Sequence, residues 1–276
     1  MSDRVVRVVG AVLLAAPIAL LLLLFFDLSR VAAARLSLTF FLSPPAALAQ
    51  HAGLFPALVG SALLVTLCGA IAVPTAIAAA IYLEEYARPT RLTRLVAANI
   101  DTLAGVPSVV YGLVGLLLFA RTLALGRSLL SGAATLALLV LPLIVVTTRE
   151  ALRQVPERLR ESAFALGATK LECVRYVVLP VALPHIATGV VLALSRALGE
   201  AAPLLALTGI AFVAFVPGTL MSPITALPLQ LFQWLSRPES AFAANTAAAV
   251  LTLLFLVFLL NAAAIWLRIR AERKRV

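Results

Sequence analysis

Six long apolar segments restrict this chain to folds that exist in a lipid bilayer. They lie at about 8–26, 56–83, 102–120, 128–148, 184–209 and 243–267. A transmembrane helix needs about 20 consecutive, mostly apolar residues. Charged residues make up only 12% of the chain, against about 25% in a soluble domain. The sequence therefore predicts an all-α integral membrane protein with six transmembrane helices.

The first of these segments also has features of a secretory signal. Arg4 and Arg7 precede it, and Ala32-Ala33-Ala34 follow it as a cleavage-like site. Its apolar run of about 19 residues is longer than the roughly 7–15 of a signal peptide. We therefore interpret the segment as a retained transmembrane helix, with a cleaved signal as the alternative.

Lysine and arginine are divided unevenly between the two sides of the predicted membrane. Sixteen of the 22 lie in the termini and in alternate loops, five lie in the opposite loops, and Arg196 lies within a span. Because short cytoplasmic loops carry the excess of basic residues, both termini are predicted to be cytoplasmic. Membrane topology thus accounts for the net charge of +10 without a nucleic-acid partner.

The sequence lacks the motifs of an enzyme or of a self-powered pump. It contains no Walker A motif, dinucleotide-binding loop, metal-ligand cluster or catalytic-triad spacing. Cys68, Cys173, His51 and His185 are too few and too dispersed for a metal site or a disulfide framework. We therefore predict no catalytic residues, no metal and no cofactor on this chain. Uphill transport would need an ion gradient or another subunit.

A charged stretch at 149–176, here called the elbow, interrupts the apolar sequence. Its segment 156–167 has Pro156 near a first helical turn, acids early in the helix and Gly167 just past the end, which predicts a short helix. Apolar residues also follow the helical spacing: Leu159, Ala163 and Leu166. The elbow is either a solvated loop or a docking element for a partner.

A second short helix is predicted directly after this bend. Thr169 and Glu172 have the spacing of a capping box, and the helix is expected to run to about Val178. Pro180 and Pro184 are expected to interrupt the chain after this helix. Two capped helices in succession are unusual for a plain loop and favour the docking interpretation.

The fifth apolar segment carries a charged pair. Arg196 and Glu200 are four residues apart and lie on nearly the same helical face. Arg196 falls about midway along the segment, where an arginine costs about 2.5–3.5 kcal/mol. Pro203 cannot donate to the carbonyl of Gly199, which loosens the backbone beside the pair. We predict that the pair lines a transport path; an ion pair that only orients helices is the alternative.

Two further features concern packing and the external surface. Ser108 and Gly112 are small residues four apart, which predicts close helix packing. The segment 229–235 predicts a short amphipathic helix between the last two spans. Trp234 would anchor this helix in the membrane interface, or the helix would contact an external partner.

The spacing within the elbow matches a known motif. Glu161-Ser162-Ala163, three residues, Gly167, nine residues and Val177-Val178-Leu179-Pro180 resemble the E-A-A-x3-G-x9-I-x-L-P loop of ABC-importer permeases. Ser162 replaces the first alanine and Val177 replaces the isoleucine. The resemblance implies a type I ABC importer with the MetI-like permease fold and a coupling loop at about 149–184. Its implied contacts with an ATPase are Glu161, Ser162, Ala163, Gly167, Leu179 and Pro180.

Other stretches are similar to the A-type permease of phosphate-specific importers. They are Tyr82-Leu83-Glu84-Glu85-Tyr86-Ala87, Gly105-Val106-Pro107-Ser108 and its continuation to 113, the stretch 194–205 around Arg196, and the stretch 227–238. Ala201 stands where that family has threonine, so a hydroxyl is missing beside the predicted path. In this resemblance Arg196 would contact phosphate in transit, and Glu200 would hold Arg196 in place.

The resemblance implies a whole assembly around the chain. The chain would be a permease of the bacterial inner membrane, in contact with membrane lipid, that moves inorganic phosphate into the cytoplasm. Its partners would be a second, C-type permease, two cytoplasmic ATPase subunits that bind ATP and Mg, and an external phosphate-binding protein. Residues 1–55 would form an N-terminal helix and external loop, and residues 56–276 the permease domain.

Three alternatives stay open at this point. Sulfate and molybdate importers share the elbow, so the anion is not fixed by it. An ion-coupled secondary carrier would explain Arg196 and Glu200 but would leave the elbow without a role. A membrane scaffold or sensor of phosphate status could coexist with transport.

Overall fold

The computed structural model describes residues 3–209 and 212–273, and helices account for nearly all of the regular structure there. Their bounds are α1 Asp3–Ala32, α2 Leu38–Leu42, α3 Phe55–Ile81, α4 Arg91–Leu103, α5 Ser108–Gly115, α6 Leu129–Arg153, α7 Glu157–Ala165, α8 Lys170–Cys173, α9 Leu179–Gly199, α10 Ala202–Thr208, α11 Leu227–Leu235 and α12 Phe242–Arg273. Three π-helical turns extend them: Tyr82–Tyr86 after α3, Leu116–Thr122 after α5, and Val174–Val178 between α8 and α9.

The prediction of an all-helical membrane protein is confirmed. Within the described residues, five helices are long and apolar enough to cross a membrane, or six when α4 and α5 are counted as one bent span. These helices pack into a bundle, with α3, α6 and α9 at its centre and α1 lying along α12. The elbow lies at one end of the bundle, and α2 and α11 lie at the other.

The centre of the bundle depends on small side chains. Cys68, Ala72, Ala76 and Ala80 repeat every four residues along α3 and are fully buried against α6. Small residues at this spacing let two helix backbones approach closely. Because the hydrophobic effect does not drive helices together in lipid, dispersion contacts between the close backbones stabilise the pair.

The third span differs from the predicted segment 102–120. The chain bends by 105° between α4 and α5, and the span itself begins only at Ser108. The bend has a local cause, because Pro107 disfavours a helical conformation at Val106. Residues 102 and 103 belong instead to α4, a separate amphipathic helix that is not among the predicted elements.

The fifth span differs from the predicted segment 184–209 at both ends. One continuous helical rod runs from Lys170 to Gly199, so the second elbow helix is the first turn of this span and not a separate element. Pro180 and Pro184 do not interrupt it as predicted: a π-helical turn, Val174–Val178, lies just before Pro180, and Pro184 lies inside α9. The rod then ends at Gly199, and the short α10 follows the break.

An apolar cap closes the end of the bundle opposite the elbow. The rings of Phe40, Trp234 and Phe242 stack in sequence, with centroids 6.0 and 6.3 Å apart. The Arg35 guanidinium donates to the carbonyls of Gln50 and Ala52 at 2.8 and 2.7 Å. The short helix predicted at 229–235 is present as α11. Of the two roles left open for it, anchoring by Trp234 in the membrane interface is contradicted, because Trp234 is buried in this cap.

Candidate functional site

The first elbow helix forms where the sequence predicts it. Pro156 is extended, with φ −58° and ψ 133°, and α7 begins at the next residue, Glu157. Ala163 is buried in an apolar cluster with residues of α6 and α9. A small side chain suits this position because α7 packs on α8 and on the π-helical turn Val174–Val178.

The other members of the predicted apolar stripe do not pack inward. Leu166 is 89% exposed and Leu159 is 40% exposed. The elbow exposes further large apolar side chains, and the whole set, here called the elbow tip, consists of Leu159, Phe164, Leu166, Leu171 and Tyr176. Exposed apolar groups gathered on a charged, solvent-facing element are typical of a protein-binding surface.

The bend after α7 is a left-handed turn at Gly167. Its φ is +85°, a region that costs residues with a Cβ about 1–2 kcal/mol. The Gly167 N–H donates to the carbonyl of Phe164 at 2.9 Å, and the Ala168 N–H donates to that of Ala163 at 3.1 Å. These bonds satisfy carbonyls at the helix end.

The predicted capping box is confirmed immediately after this bend. The Thr169 Oγ1 accepts from the Glu172 N–H at 3.3 Å, and the Glu172 Oε2 accepts from the Thr169 N–H at 2.8 Å. The direction in which the chain enters the fifth span is therefore set by two reciprocal hydrogen bonds.

The remaining predicted coupling residues lie at different depths. Glu161 and Ser162 are exposed on α7, and the Ser162 hydroxyl donates to the carbonyl of Arg158 at 2.8 Å. Leu179 is half-buried against the cluster that contains Ala163, and Pro180 is exposed at the start of α9. Glu161 and Ser162 are therefore available for contact, whereas Leu179 supports the elbow from below.

Arg160 fastens the elbow to two spans. Its guanidinium donates to the carbonyls of Val155 and Leu152, at 2.7 and 2.9 Å, at the end of α6. It also pairs with Glu85 at 3.0 Å, in the π-helical turn that ends the second span. The side chains of Arg160 and Glu85 are only 13% and 10% exposed, so little solvent screens this pair.

A second acid of the same turn binds two arginines of α6. Glu84 pairs with Arg149 at 3.2 Å and with Arg153 at 2.6 Å. Sequence spacing does not identify these partners, because they lie more than 60 positions away from the acid. The local signal is two acids at the end of an apolar span facing a basic loop.

A cavity of about 390 Å³ opens between α7, α8 and this π-helical turn. Acids, bases and apolar groups share its walls, which are formed by Glu84, Glu85, Arg153, Glu157, Arg160, Phe164, Lys170, Cys173 and Val174. Because the walls offer both signs of charge beside the exposed elbow tip, the cavity is suited to a protein side chain more than to a single small ion.

The predicted charged pair is present at the break in the fifth span. The Arg196 Nε lies 3.3 Å from the Glu200 Oε1. Arg196 is in the last helical turn of α9 and not midway along the helix, because the helix ends at Gly199. Its side chain is 51% exposed, whereas that of Glu200 is 18% exposed.

The segment after the break is held in place by the third span. A Cβ placed on Gly112 would lie 2.5 Å from the Pro203 carbonyl oxygen and 2.6 Å from the Ala206 Cβ, so the glycine permits α5 to touch α10. This confirms the close packing predicted for Gly112. At the far end of α10, the Arg127 guanidinium donates to the carbonyl of Thr208 at 3.3 Å.

The bundle has the fold of an ABC-transporter permease. An inward-facing structure of the MetNI methionine ABC transporter aligns with a TM-score of 0.62 and 21% identity, over 77% of this chain and 94% of that one. A crystal structure of an amino acid ABC transporter with histidines aligns with a TM-score of 0.54 and 20% identity, over 79% and 92% of the two chains.

The chain belongs to the family described as binding-protein-dependent transport system inner membrane component, which matches residues 72–274. It is therefore a multi-pass permease of the inner membrane. It is 36% identical, over 81% of its length and 73% of the relative's, to the phosphate transport system permease protein PstA 1 of Mycobacterium tuberculosis. It is 37% identical to the protein named PstA in Xylella fastidiosa, over 79% and 76% of the two chains. A probable ABC transporter permease of Bacillus subtilis, YqgI, is 32% identical over 84% and 83%.

Proposed function

We propose that the chain is the A-type membrane subunit of an ATP-driven importer that moves inorganic phosphate into the cytoplasm. The observation that carries this proposal is the similarity to permeases named for phosphate transport, at 36–37% identity over about four-fifths of the chain. The similarity spans the elbow, the bend before α5 and the break that contains Arg196. The substrate is thus proposed from the names of the relatives, and the path of the anion is proposed from the geometry of this chain.

The elbow is the part through which the importer is driven. Its exposed apolar tip docks on a cytoplasmic ATPase subunit, with Glu161 and Ser162 at the contact and Gly167 setting the angle of the bend. Arg160, Glu84 and the arginines of α6 connect the elbow to the second and fourth spans. A movement of the ATPase is therefore transmitted to several spans together, because the Arg160–Glu85 and Arg149–Glu84 pairs are largely shielded from water.

The break after α9 is the proposed passage of the anion. A guanidinium presents forked donors that match a tetrahedral oxyanion, and half of the Arg196 side chain is free to meet one. Glu200 orients this guanidinium and limits how tightly an anion is held, since the carboxylate competes for the same donors. Discontinuous membrane helices commonly mark transport sites in carriers, which supports this location.

The proposed assembly supplies what this chain does not carry. A second, C-type permease completes the path, two ATPase subunits bind ATP and Mg, and an external binding protein delivers phosphate. The chain itself takes no catalytic part. The excess of arginine at the elbow end supports a cytoplasmic elbow and cytoplasmic termini.

The test is uptake by reconstituted vesicles. Together with a C-type permease, the ATPase and the binding protein, the chain should transport labelled phosphate only when ATP is present, and not sulfate or molybdate. The chain alone should transport nothing with or without ATP. Uptake by the lone chain would show an ion-coupled carrier, and ATP-driven uptake of sulfate or molybdate in preference to phosphate would reassign the anion.

A further inference from the structure

Helix α4 presents three different faces. Successive residues of a helix turn by about 100°, so α4 places Leu92, Leu95, Val96 and Leu103 on one side, all of them exposed. A second side carries its charges and smallest polar groups: Arg91, Arg94, Ala98, Asp101 and Thr102. The third side, with Thr93, Ala97 and Ile100, is the least exposed and packs toward the bundle.

The apolar face is large for a surface in contact with water. Leu92 is 71% exposed and Leu95 is 61% exposed. Asn99, which lies between them on this face, donates its amide to the carbonyl of Leu95 at 2.8 Å. One of its amide N–H groups is thereby satisfied within the helix, which lowers the cost of placing this face in an apolar environment.

Helix α4 lies at the elbow end of the bundle. It packs against α6, and Asp101 interacts electrostatically with Arg153 at the elbow end of that helix. It makes an angle of 105° with the following helix, α5, and residues 104–107 connect the two. With 13 residues, α4 is about 20 Å long, and because it runs across the direction of α5, it does not continue that span.

Arginines flank the apolar face. Arg88, Arg91 and Arg94 are all exposed, and the hydroxyl of Thr93 donates to the carbonyl of Arg88 at 2.9 Å, which holds the preceding loop against the helix. A short helix with one apolar face and a row of basic residues lies in the plane of a membrane interface. Basic residues at such a surface attract anionic headgroups.

We propose that α4 is an interfacial anchor, with Leu92, Leu95 and Val96 inserted among the acyl chains and Arg88, Arg91 and Arg94 bound to anionic phospholipid headgroups. The neighbouring span α5 begins at the end of this anchor, so the lipid composition of the membrane acts on the segment that packs against α10. This inference depends on membrane insertion alone and is independent of the transported anion.

The test measures which lipids surround α4. The full chain, with Cys68 and Cys173 replaced by alanine, carries a fluorophore on Leu92→Cys. It is placed in bilayers with equal fractions of phosphatidylcholine and phosphatidylglycerol. In each sample one of the two lipids is brominated, so that it quenches the fluorophore. Brominated phosphatidylglycerol should quench severalfold more strongly, since each arginine contributes a factor of about five in local affinity. A label on Phe258→Cys, exposed in the middle of α12, is the control and should be quenched equally by both lipids.

Arginine removal distinguishes charge from insertion. In the combined variant Arg88→Gln, Arg91→Gln and Arg94→Gln, the preference for phosphatidylglycerol should disappear while quenching persists. The labelled chain that keeps all three arginines should also lose its preference for phosphatidylglycerol at about 1 M salt, because the electrostatic screening length falls to about 3 Å. Absence of quenching by either lipid would show that water or protein covers this face, and equal quenching with all arginines present at low salt would disprove anionic-lipid binding. Either result would overturn the proposal.

Discussion

Gly167 occupies a backbone conformation that other residues adopt at a cost. At φ +85°, a β-branched residue loses about 1–2 kcal/mol or more, which lowers the population of the native bend about 5–30-fold. We predict that Gly167→Val reduces phosphate uptake by the reconstituted importer to a similar extent. The variant should still insert into membranes, because a Cβ at this position meets no neighbouring atom.

Gly218 provides the control for this substitution. It also has open space around an added Cβ, but its φ is not in the left-handed region. Gly218→Val should therefore leave uptake unchanged. Normal uptake by Gly167→Val would exclude the bend as a determinant of coupling.

Arg196 tests the proposed passage. Hydrogen bonds to charged groups contribute about 1.5–3 kcal/mol, so Arg196→Gln should lower phosphate uptake roughly 10–100-fold while co-purification with the ATPase persists. Arg196→Lys should recover part of the activity, because it restores the charge without the forked donors. The comparison is uptake and subunit co-purification of both variants, measured in parallel.

The alternative role of this pair has a different outcome. If Arg196 only orients helices through Glu200, then Arg196→Gln should prevent assembly with the other subunits, and Lys should restore it as well as arginine does. An exposed arginine at the end of the third span, Arg121, serves as the control, since Arg121→Gln should change neither measurement.

At the scale of an element, α7 depends on Arg160. Removing one partner of a buried ion pair costs about 3–5 kcal/mol, because the remaining charge is left uncompensated. We predict that Arg160→Met detaches α7 from the spans, which hydrogen exchange at the amides of residues 157–165 would report as faster exchange. Uptake should fall with it.

Arg158 lies on the same helix and is exposed, so Arg158→Met should leave exchange in α7 unchanged. The double variant Arg160→Glu with Glu85→Arg should recover part of the protection, because it restores the pair while losing the bonds to the carbonyls of Leu152 and Val155. Unchanged exchange in Arg160→Met would show that the apolar contact of Ala163 alone holds the element.

The elements that the sequence predicts correctly are those with local causes. Hydrophobic length gives most of the spans, Pro156 and Gly167 give the ends of α7, and the spacing of Thr169 and Glu172 gives the capping box. Each of these signals acts within a few residues of the chain, so no knowledge of tertiary packing is needed. The resemblance of the elbow to ABC-importer permeases predicts the family for the same reason.

The elements that the sequence misplaces depend on competition between local rules and packing. The sequence predicts a helix stop at Pro180, yet the helix continues through it, just after the π-helical turn Val174–Val178. Pro203 predicts a loosened backbone beside Gly199, but the sequence does not show that the helix ends there. The position of α10 after this break depends on its contact with Gly112 of another span. Glu84 and Glu85 pair with arginines that approach them only when the chain folds. Periodicity along the sequence does not reveal which residues of different spans lie close in space.

At the scale of the whole molecule, the elbow and the cap of α11 lie at opposite ends of the bundle. We predict that they lie on opposite sides of the inner membrane, with the elbow inside. In a chain without Cys68 and Cys173, a cysteine at exposed Ser162 should react with a membrane-impermeant maleimide only after the membrane is opened. A cysteine at exposed Ser236 should react in intact spheroplasts.

Each position serves as the control for the other, because both are exposed serines. Reversed labelling would place the elbow outside and would exclude docking on a cytoplasmic ATPase. Labelling of both from one side would contradict the bundle itself.

The unbroken rod from Lys170 to Gly199 has 30 residues and is therefore about 45 Å long. It begins at the elbow and ends beside Arg196 and Glu200, so its two ends belong to the two parts of the proposed machinery. A rotation of the rod by about 5° about its elbow end sweeps the other end through about 4 Å, which exceeds the radius of a water molecule. Because this helix is long, a small rotation at its elbow end displaces the segment beside Arg196 and Glu200 by more than the radius of a water molecule.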